Sequence, residues 1–466
     1  MNKKILLFYF LLINSGIIYA QTPSALINFL NKKELAHASV SLKAIELNSK
    51  KVIVSHNENT SLVPASNMKI ITTATALEVL GSNFYFETPL FYDGYIQEST
   101  LNGNIYIKGS GDPTLGSEFI SGDAENFLKE WLTALNQIGI SKITGNVVVM
   151  DQLFGYEGTS TKWLKEDLGS YYAPGIYGIS VFDNMYRIYL QTYAPKSPAS
   201  ILYTKPQMLN LHIVNELKVT EDADDDALVF SIPFADDVRL YGAIPSNRST
   251  YILKGSIPDP GLFLARSFRD YLQNNGIIIE GKATTSRLSP EAPSGENPVS
   301  TIRSVDLGSI CKIINVESNN LYAEHIWKVL TVLDSIDIKQ YWKSKGVNSD
   351  ALFMFDGSGI SPQNGISAGF LIDLLVYMDK QSVNSDVFYK SLPVAGRSGT
   401  IASLLKNSHL TGNARLKSGS ITNVQSYSGY IESKGKRYAV SLIVNNFSGK
   451  RADLRREIEQ LFNELF

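Results

Sequence analysis

The residues with the clearest capacity for chemistry are Ser66 and Lys69, in a Pro-Ala-Ser-Asn-Met-Lys stretch that leads into a run rich in Ile, Thr and Ala. Residues three apart share a helix face, so the serine hydroxyl and the lysine amine can meet. A serine at a helix start also lies among unpaired backbone N–H groups, which can hold an oxyanion. Burial lowers the pKa of a lysine and makes it a base. The pair therefore suits a serine acyl-transferase that has no histidine.

The Ser-x-x-Lys spacing is not specific by itself, because the chain contains it four times. The other copies are Ser309/Lys312, Ser403/Lys406 and Ser433/Lys436. What distinguishes Ser66 is its context: a loop precedes it, an apolar stripe follows, and Gly81 supplies a helix stop signal. Two partner motifs downstream add to this distinction.

The first partner motif is Ser318-Asn319-Asn320, and the second is Lys417-Ser418-Gly419-Ser420. Alone, Ser318-Asn319-Asn320 is typical of a helix cap, for which serine and asparagine are favoured. The second stretch alone is typical of a polar turn at a strand end. In the order S-x-x-K, S-x-N and K-[T/S]-G, however, the three motifs match the set found in penicillin-binding proteins and β-lactamases.

The elements around these motifs indicate an α+β fold. Residues 38–47 and 51–56 read as strands before the Ser66 helix, and residues 425–432 and 438–445 read as strands after Lys417. The C-terminal stretch 452–466 reads as a helix whose apolar stripe favours packing on that sheet over binding a membrane. Together these elements predict an antiparallel sheet flanked by helices, interrupted by a long and mostly β insertion.

Composition excludes several classes of function. The 466 residues carry a net charge of -2, which gives no reason to expect nucleic acid as a partner. The five histidines form no H-E-x-x-H motif, and no Cys/His cluster has metal-ligand spacing, so neither a metal nor an organic cofactor is implied. The one cysteine, Cys311, cannot form an internal disulfide and has the apolar neighbours of a buried thiol.

The N-terminus has the pattern of a secretory signal peptide over residues 1–20. A basic start precedes an apolar run that ends at Ile18-Tyr19-Ala20. The alternative is a retained N-terminal anchor, but the run is short and is broken by polar residues. No later stretch is long and apolar enough to span a bilayer. We therefore expect a periplasmic protein without an integral membrane segment after cleavage.

The sequence resembles the penicillin-recognising serine hydrolases, and more narrowly the class C low-molecular-mass penicillin-binding proteins, the D-alanyl-D-alanine carboxypeptidase/endopeptidase family. The resemblance rests on the three motifs, on the long interval between Ser66 and Ser318, and on further stretches. These are Gly109-Ser110-Gly111-Asp112-Pro113, Asp356-Gly357-Ser358-Gly359-Ile360-Ser361 and Gly396-Arg397-Ser398-Gly399-Thr400. It implies a penicillin-binding-protein/β-lactamase-like fold.

The resemblance implies three catalytic residues. Ser66 would be the nucleophile, Lys69 would be the base that accepts its proton, and Ser318 would relay a proton toward the leaving amine. The backbone N–H groups of Ser66 and Ser420 would form the oxyanion hole.

The resemblance also implies a set of substrate-binding residues. Asn320 would hold the substrate amide, and Lys417 would supply positive charge for the terminal carboxylate. Ser418 would donate a hydrogen bond to that carboxylate, and it stands where threonine is commoner in the family. Asp151, at the end of a strand in the insertion, would meet a cationic side chain of the peptide.

The predicted domain organisation has three parts. After the signal peptide, residues 21–84 and 286–466 would form the catalytic domain. Residues 85–285 would form the inserted accessory region, in two subdomains: 85–165 with 260–285, and 166–259.

The function implied is that of a serine-type D-Ala-D-Ala carboxypeptidase or endopeptidase that acts on peptidoglycan stem peptides through an acyl-enzyme on Ser66. β-Lactams would be covalent inhibitors. Two alternatives remain open at this point: a non-catalytic peptidoglycan-binding protein of the same fold, and a β-lactamase.

Overall fold

The computed structural model of the chain describes residues 23–120, 122–208, 210–221 and 226–466. The predicted signal peptide, residues 1–20, lies outside the described residues. Among the helices of the described part of the chain, none combines the length and the apolar character needed to cross a membrane.

The described α-helices are α1 (Ser24–Leu30), α2 (Met68–Leu80), α3 (Asn126–Gln137), α4 (Pro260–Asn274), α5 (Leu307–Val316), α6 (Asn320–Lys328), α7 (Ile338–Ser344), α8 (Ala368–Lys380), α9 (Ser385–Ser391) and α10 (Arg451–Leu465).

The described strands are β1 (Ser39–Glu46), β2 (Val52–His56), β3 (Glu87–Tyr92), β4 (Tyr95–Gln97), β5 (Thr100–Asn102), β6 (Ile105–Lys108), β7 (Lys142–Ile143), β8 (Val147–Met150), β9 (Met185–Gln191), β10 (Ser200–Lys205), β11 (His212–Asn215), β12 (Lys218–Thr220), β13 (Leu228–Phe230), β14 (Asp237–Tyr241), β15 (Ala243–Pro245), β16 (Tyr251–Ser256), β17 (Ile278–Ile279), β18 (Ala283–Thr285), β19 (Asn297–Arg303), β20 (Ala414–Ile421), β21 (Val424–Ser433) and β22 (Lys436–Asn445).

A five-stranded antiparallel sheet in the order β2-β1-β22-β21-β20 unites the two ends of the chain. Successive side chains along its strands point alternately into two hydrophobic cores, one on each face of the sheet. On β22, Ala439 and Ile443 face the core that contains α2, α5, α6 and α8, whereas Val440 and Leu442 face the core that contains α1 and α10. The predicted α+β architecture, with helices flanking an antiparallel sheet, is confirmed.

Helix α10 covers one face of this sheet. Its buried residues Leu454, Ile458 and Leu461 follow a helical spacing and join the sheet core. The expected packing of the C-terminal helix on the sheet is therefore confirmed. Helices α2 and α6 pack on the opposite face, which places both motifs that they carry beside strand β20 at the edge of the sheet.

The long interval between α2 and α5 is mostly β. One mixed sheet has the order β18-β8-β6-β3-β19, and its core includes residues of α3 and α4. A separate core is formed by strands between β9 and β16. The segment that follows β8 packs elsewhere, because Phe154, Trp163 and Ile176 are buried in the core of α2 and α6.

The pairing of strand β19 indicates where the insertion ends. It pairs with β3 from Asn297 to Arg303 and forms the edge strand of a sheet within the insertion. An edge strand tolerates Pro298, because proline has no N–H to donate to a further strand. We therefore propose that the insertion ends near residue 304, after β19, instead of at residue 285. The division into two subdomains stays a prediction.

Candidate active site

Ser66 lies in a single 3₁₀ turn, Ala65–Asn67, which runs directly into α2. Helix α2 ends at Gly81, which has a φ of 81°. Glycine adopts this left-handed conformation without the steric cost that a Cβ would cause. Ala65 has a φ of 48°, a left-handed conformation that costs a non-glycine residue about 1 to 3 kcal/mol. Backbone strain is thus stored immediately before the serine.

Lys69 is a fully enclosed amine within the site. Its side chain is fully buried, and its Nζ donates to Ser66 Oγ at 3.1 Å, to Asn320 Oδ1 at 2.5 Å and to the Ser358 carbonyl oxygen at 2.6 Å. Burial disfavours the ammonium form and lowers the pKa of Lys69 to about 7, although the Glu324 and Asp356 carboxyl groups oppose this shift. A neutral amine within reach of the serine hydroxyl can accept its proton.

The second wall of the site is the turn between α5 and α6. Ser318 has a φ of 57°, so a second strained residue lies at the site. Asn319 caps α6, because its side chain accepts from the Tyr322 N–H at 3.0 Å. Asn320, the first residue of α6, donates from Nδ2 to the Tyr172 carbonyl oxygen at 2.6 Å. Its amide is thereby fixed between Lys69 and the insertion.

The third wall is the edge strand β20. Lys417 Nζ donates to Ser318 Oγ at 3.0 Å and to the Ser418 carbonyl oxygen at 2.7 Å. The hydroxyl groups of Ser418 and Thr400 lie 2.7 Å apart. Gly419 fits closely against the Ser66 turn, because a Cβ there would lie 2.5 Å from the Pro64 carbonyl oxygen. This close approach brings the end of β20, with Ser420, next to Ser66.

Lys417 is also fully buried. Burial is the main cause that lowers its pKa well below the usual value, and the nearby charge of Lys69 lowers it further. The two lysines therefore lie close enough to repel each other. Ser66 with Lys69 and Ser318 with Lys417 form two hydroxyl–amine pairs that face the same space.

The structure brings together seven of the eight residues that the sequence singled out. They are Ser66, Lys69, Ser318, Asn320, Lys417, Ser418 and Ser420. Helix α2 and helix α6, each with the turn before it, and strand β20 supply them from distant positions in the chain. Strand β20 continues through Lys417, Ser418 and Ser420 to Ile421, so these residues lie within a strand and not in a polar turn at its end.

Asp151 is the exception. It is 2% exposed, and its carboxylate accepts from the Ser286 hydroxyl at 2.9 Å and from the Tyr156 hydroxyl at 3.3 Å. Burial is the main cause that raises its pKa. None of these contacts involves the Ser66 cluster, so the expected contact with a substrate side chain stays a prediction that the geometry does not support.

Four residues at the cluster or next to it were not assigned from the sequence. Tyr172, Ser358 and Thr400 bond directly to cluster residues, and Glu324 accepts from the Ser358 N–H. Ser358 and Thr400 lie in stretches that carry the resemblance, namely Asp356–Ser361 and Gly396–Thr400. Those stretches were therefore a usable signal, but the atoms that make contact depend on packing between distant segments.

A small pocket of about 130 Å³ opens beside Ser318 and Asn320. Phe119, Tyr171 and Lys254 line it from the insertion side, and the Lys254 amine lies 5.1 Å from the centre of the Tyr171 ring. The pocket adjoins the site and is large enough for a side chain.

The fold and the paired Ser/Lys groups together define the class of penicillin-recognising serine enzymes. The sequence profile of the D-Ala-D-Ala carboxypeptidase 3 (S13) family matches residues 24–464, and this chain belongs to that family. It is thus a serine-type D-Ala-D-Ala carboxypeptidase, as the resemblance implied.

Curated relatives agree with this assignment. The chain is 24% identical to the D-alanyl-D-alanine carboxypeptidase DacB of Haemophilus influenzae, covering 94% of this chain and 93% of the relative. It is also 24% identical to the D-alanyl-D-alanine carboxypeptidase of Actinomadura sp. (strain R39), covering 85% and 76%.

Solved structures show the same fold. Penicillin binding protein 4 (dacB) from Haemophilus influenzae superposes with a TM-score of 0.81 at 22% identity, covering 95% of this chain and 99% of that chain. The same protein complexed with a β-lactam gives a TM-score of 0.75 at 22% identity, covering 94% and 99%. The Bdellovibrio bacteriovorus endopeptidase Bd3459 gives 0.52 at 16% identity, covering 91% and 92%. The penicillin-binding-protein fold is therefore confirmed.

Proposed function

We propose that this enzyme cleaves the D-Ala–D-Xaa bond of peptidoglycan stem peptides through an acyl-enzyme on Ser66. The observation that carries the proposal is the contact between Ser66 Oγ and a fully buried Lys69 amine, 3.1 Å apart, with the pKa of that amine lowered to about 7. An unperturbed lysine would be charged at neutral pH and could not accept a proton.

In the first step, Ser66 Oγ attacks the carbonyl carbon of the penultimate D-Ala while Lys69 Nζ accepts the hydroxyl proton. The carbonyl oxygen gains negative charge and lies between the N–H groups of Ser66 and Ser420. As the C–N bond breaks, Ser318 Oγ gives its proton to the leaving amine, and the proton that Lys69 took from Ser66 passes through the Ser318/Lys417 pair to replace it. Lys69 Nζ then accepts a proton from the water that attacks the ester and gives it to Ser66 Oγ as the ester C–O bond breaks, so that every group regains its starting proton.

The remaining contacts orient the peptide. Asn320 holds the amide next to the cleaved bond, and the hydroxyl group of Ser418 donates to the terminal carboxylate. The negative charge of that carboxylate favours the protonated form of Lys417, which burial and Lys69 otherwise disfavour. The pocket beside Ser318 receives a side chain on the acyl side of the bond. An endopeptidase action on cross-linked peptides uses the same groups.

A signal peptide over residues 1–20 would deliver the mature protein to the periplasm, where its substrate lies. Penicillins carry a strained amide and a carboxylate in a similar relation, so they would acylate Ser66 and stall at that stage. The solved neighbour in complex with a β-lactam supports this expectation.

The test is the intact mass of the mature protein after incubation with benzylpenicillin, beside a Ser66→Ala variant. We expect a lasting adduct on the wild type alone. If penicillin is consumed without a lasting adduct, the enzyme is a β-lactamase. If there is neither adduct nor consumption, the proposal is wrong, and the alternative of a peptidoglycan-binding protein without catalysis is favoured.

A further inference from the structure

A buried carboxyl group lies directly behind Lys69. Glu324 is 1% exposed and lies on α6, one helical turn after Asn320, so both side chains share the face that packs toward α2. Neither the sequence motifs nor the proposed reaction steps give this group a task. Its closeness to the base nevertheless suggests one.

One residue links Glu324 to Lys69. The Ser358 N–H donates to Glu324 Oε1 at 2.7 Å, and the Ser358 carbonyl oxygen accepts from Lys69 Nζ at 2.6 Å. The loop that carries Ser358 lies tightly on α6, since a Cβ on Gly357 would lie 2.6 Å from the Ala323 carbonyl oxygen. The carboxyl group is therefore held at a fixed place relative to the amine.

The second oxygen of Glu324 distinguishes it from an ordinary structural carboxylate. Among the described residues, Oε2 is buried and has no partner that meets the distance and angle of a hydrogen bond, although the Ser358 hydroxyl and the Gly357 N–H lie near enough to favour the ionised form. Asp356, in the same loop, differs: its carboxylate accepts from the N–H groups of Gly359 and Ser361 and from the side chains of Trp163 and Asn364. A buried oxygen without a donor favours a protonated carboxyl group over an ionised one.

The charged groups that face this position come from three elements. Lys69 comes from α2, Asp356 from the loop before α8, and Lys417 from β20 acts on Lys69. Burial raises the pKa of Glu324 and repulsion by Asp356 raises it further, and these two effects outweigh the hydrogen bonds from Ser358 and Gly357, which lower it. In the other direction, an ionised Glu324 raises the pKa of Lys69. The carboxyl group and the amine therefore compete for protons.

We propose that Glu324 is a positioning residue that exchanges a proton with Lys69, so that this buried pair determines how much of Lys69 is free base. When the proton resides on Glu324, Lys69 is neutral and can accept the proton of Ser66 Oγ. When the proton resides on Lys69, Glu324 is ionised and the enzyme cannot be acylated. The inference rests on the proposed role of Lys69 as the base.

The test is the rate of acylation by benzylpenicillin as a function of pH, from about pH 5 to pH 9, for the wild type and Glu324→Gln. Glutamine keeps the shape and the acceptor for Ser358 N–H but cannot ionise. The acid limb should therefore move to lower pH, by about one unit. It should also become a one-proton titration, because a coupled pair loses its protons in two steps.

The matched control is Glu291→Gln, which removes one negative charge at an exposed position and should leave the limb where it is in the wild type. Glu324→Met, which also removes the charge at similar length, is the second variant should Glu324→Gln not fold. A slower reaction with an unmoved limb in the variant that folds would mean that Glu324 only supports the loop, and would overturn the inference. Failure of the wild type itself to be acylated would instead refute the proposed function.

Discussion

Two serine–lysine pairs with identical spacing lie at the starts of two helices, and only one of them is built as a reactive site. Ser66 and Lys69 precede and begin α2, whereas Ser309 and Lys312 lie in the first turns of α5. Lys69 is fully buried, but Lys312 is exposed. Ser309 donates its hydroxyl hydrogen bond to Asp306, the residue that caps α5. The spacing is the same, and the surroundings give the two serines different tasks.

The difference arises from what covers each lysine. Asn320 on α6 and the Ser358 carbonyl oxygen accept two of the hydrogen bonds that Lys69 can donate, and they exclude water from it. Desolvation then lowers the pKa of the amine. Lys312, by contrast, is exposed to solvent. A serine–lysine pair thus becomes reactive through tertiary packing, and each of the following changes tests that statement.

The largest expected effect comes from exchanging the two serines for alanine. Ser66→Ala removes the nucleophile, so no benzylpenicillin adduct should form by intact mass. Ser309→Ala removes only a hydrogen bond to a cap, so labelling should proceed at the wild-type rate. An adduct that persists in Ser66→Ala and disappears in Ser309→Ala would reverse the comparison.

The next effect comes from the two lysines. Lys69→Ala should slow acylation by about 10²- to 10⁴-fold, the usual contribution of a general base. Lys312→Ala should leave the rate within about twofold, because surface substitutions rarely disturb a distant site. Stopped-flow or gel-based labelling with a fluorescent penicillin measures both. Equal losses in the two variants would show that the spacing, and not burial, matters.

A third change disturbs the loop that covers Lys69 and replaces no residue of either serine–lysine pair. Gly359 has a φ of 86°, and a Cβ there would lie 1.9 Å from the Ala65 carbonyl oxygen. Gly359→Ala should push the Ser358 loop away from Lys69, and acylation should fall by about 10- to 100-fold. The acid limb of the rate should move to higher pH, because a more hydrated amine keeps its proton to higher pH.

The control for that change is Gly295→Ala, where a Cβ meets nothing within 4 Å. Labelling of this variant should match the wild type at every pH. If Gly359→Ala also matched the wild type, the Ser358 loop would not be the element that excludes water from Lys69.

The smallest effect concerns the unreactive pair. Asp306 accepts from the Ser309 N–H at 2.9 Å as the cap of α5, so Asp306→Ala should lower the free energy of unfolding by about 1 kcal/mol. Urea denaturation measures this loss. Acylation of the folded variant should be unchanged; a loss of acylation at full stability would mean that α5 contributes to the site in another way.

Much of the site could be predicted from the sequence because its chemistry is carried by short motifs at defined positions in elements. Ser66, Lys69, Ser318 and Lys417 were identified from three short motifs in a defined order, since no single motif is specific. The strands of the central sheet and α10 were also predictable, since their apolar spacing follows the period of each element. These are features that neighbouring residues determine.

Other contacts and strand pairings join segments that are distant in sequence, so no local sequence pattern predicts them. Ser358 contacts Lys69, and Glu324 contacts Ser358, only because α6 and the loop before α8 pack on α2. Asp151 follows a strand, as an active-site acid often does, but its carboxylate bonds to Ser286 within the insertion. Strand β19 begins in a stretch whose Pro and Glu content is typical of a linker, and its pairing with β3 spans about two hundred residues of sequence.

The measurement that tests the central claim most directly is the pH dependence of acylation of the wild-type enzyme by benzylpenicillin. As pH rises through the pKa of Lys69, the amine loses its proton and becomes a base, so the rate should rise with a midpoint at about pH 7. A midpoint near that of an ordinary lysine, about pH 10, would contradict the claim that burial makes Lys69 the base for Ser66.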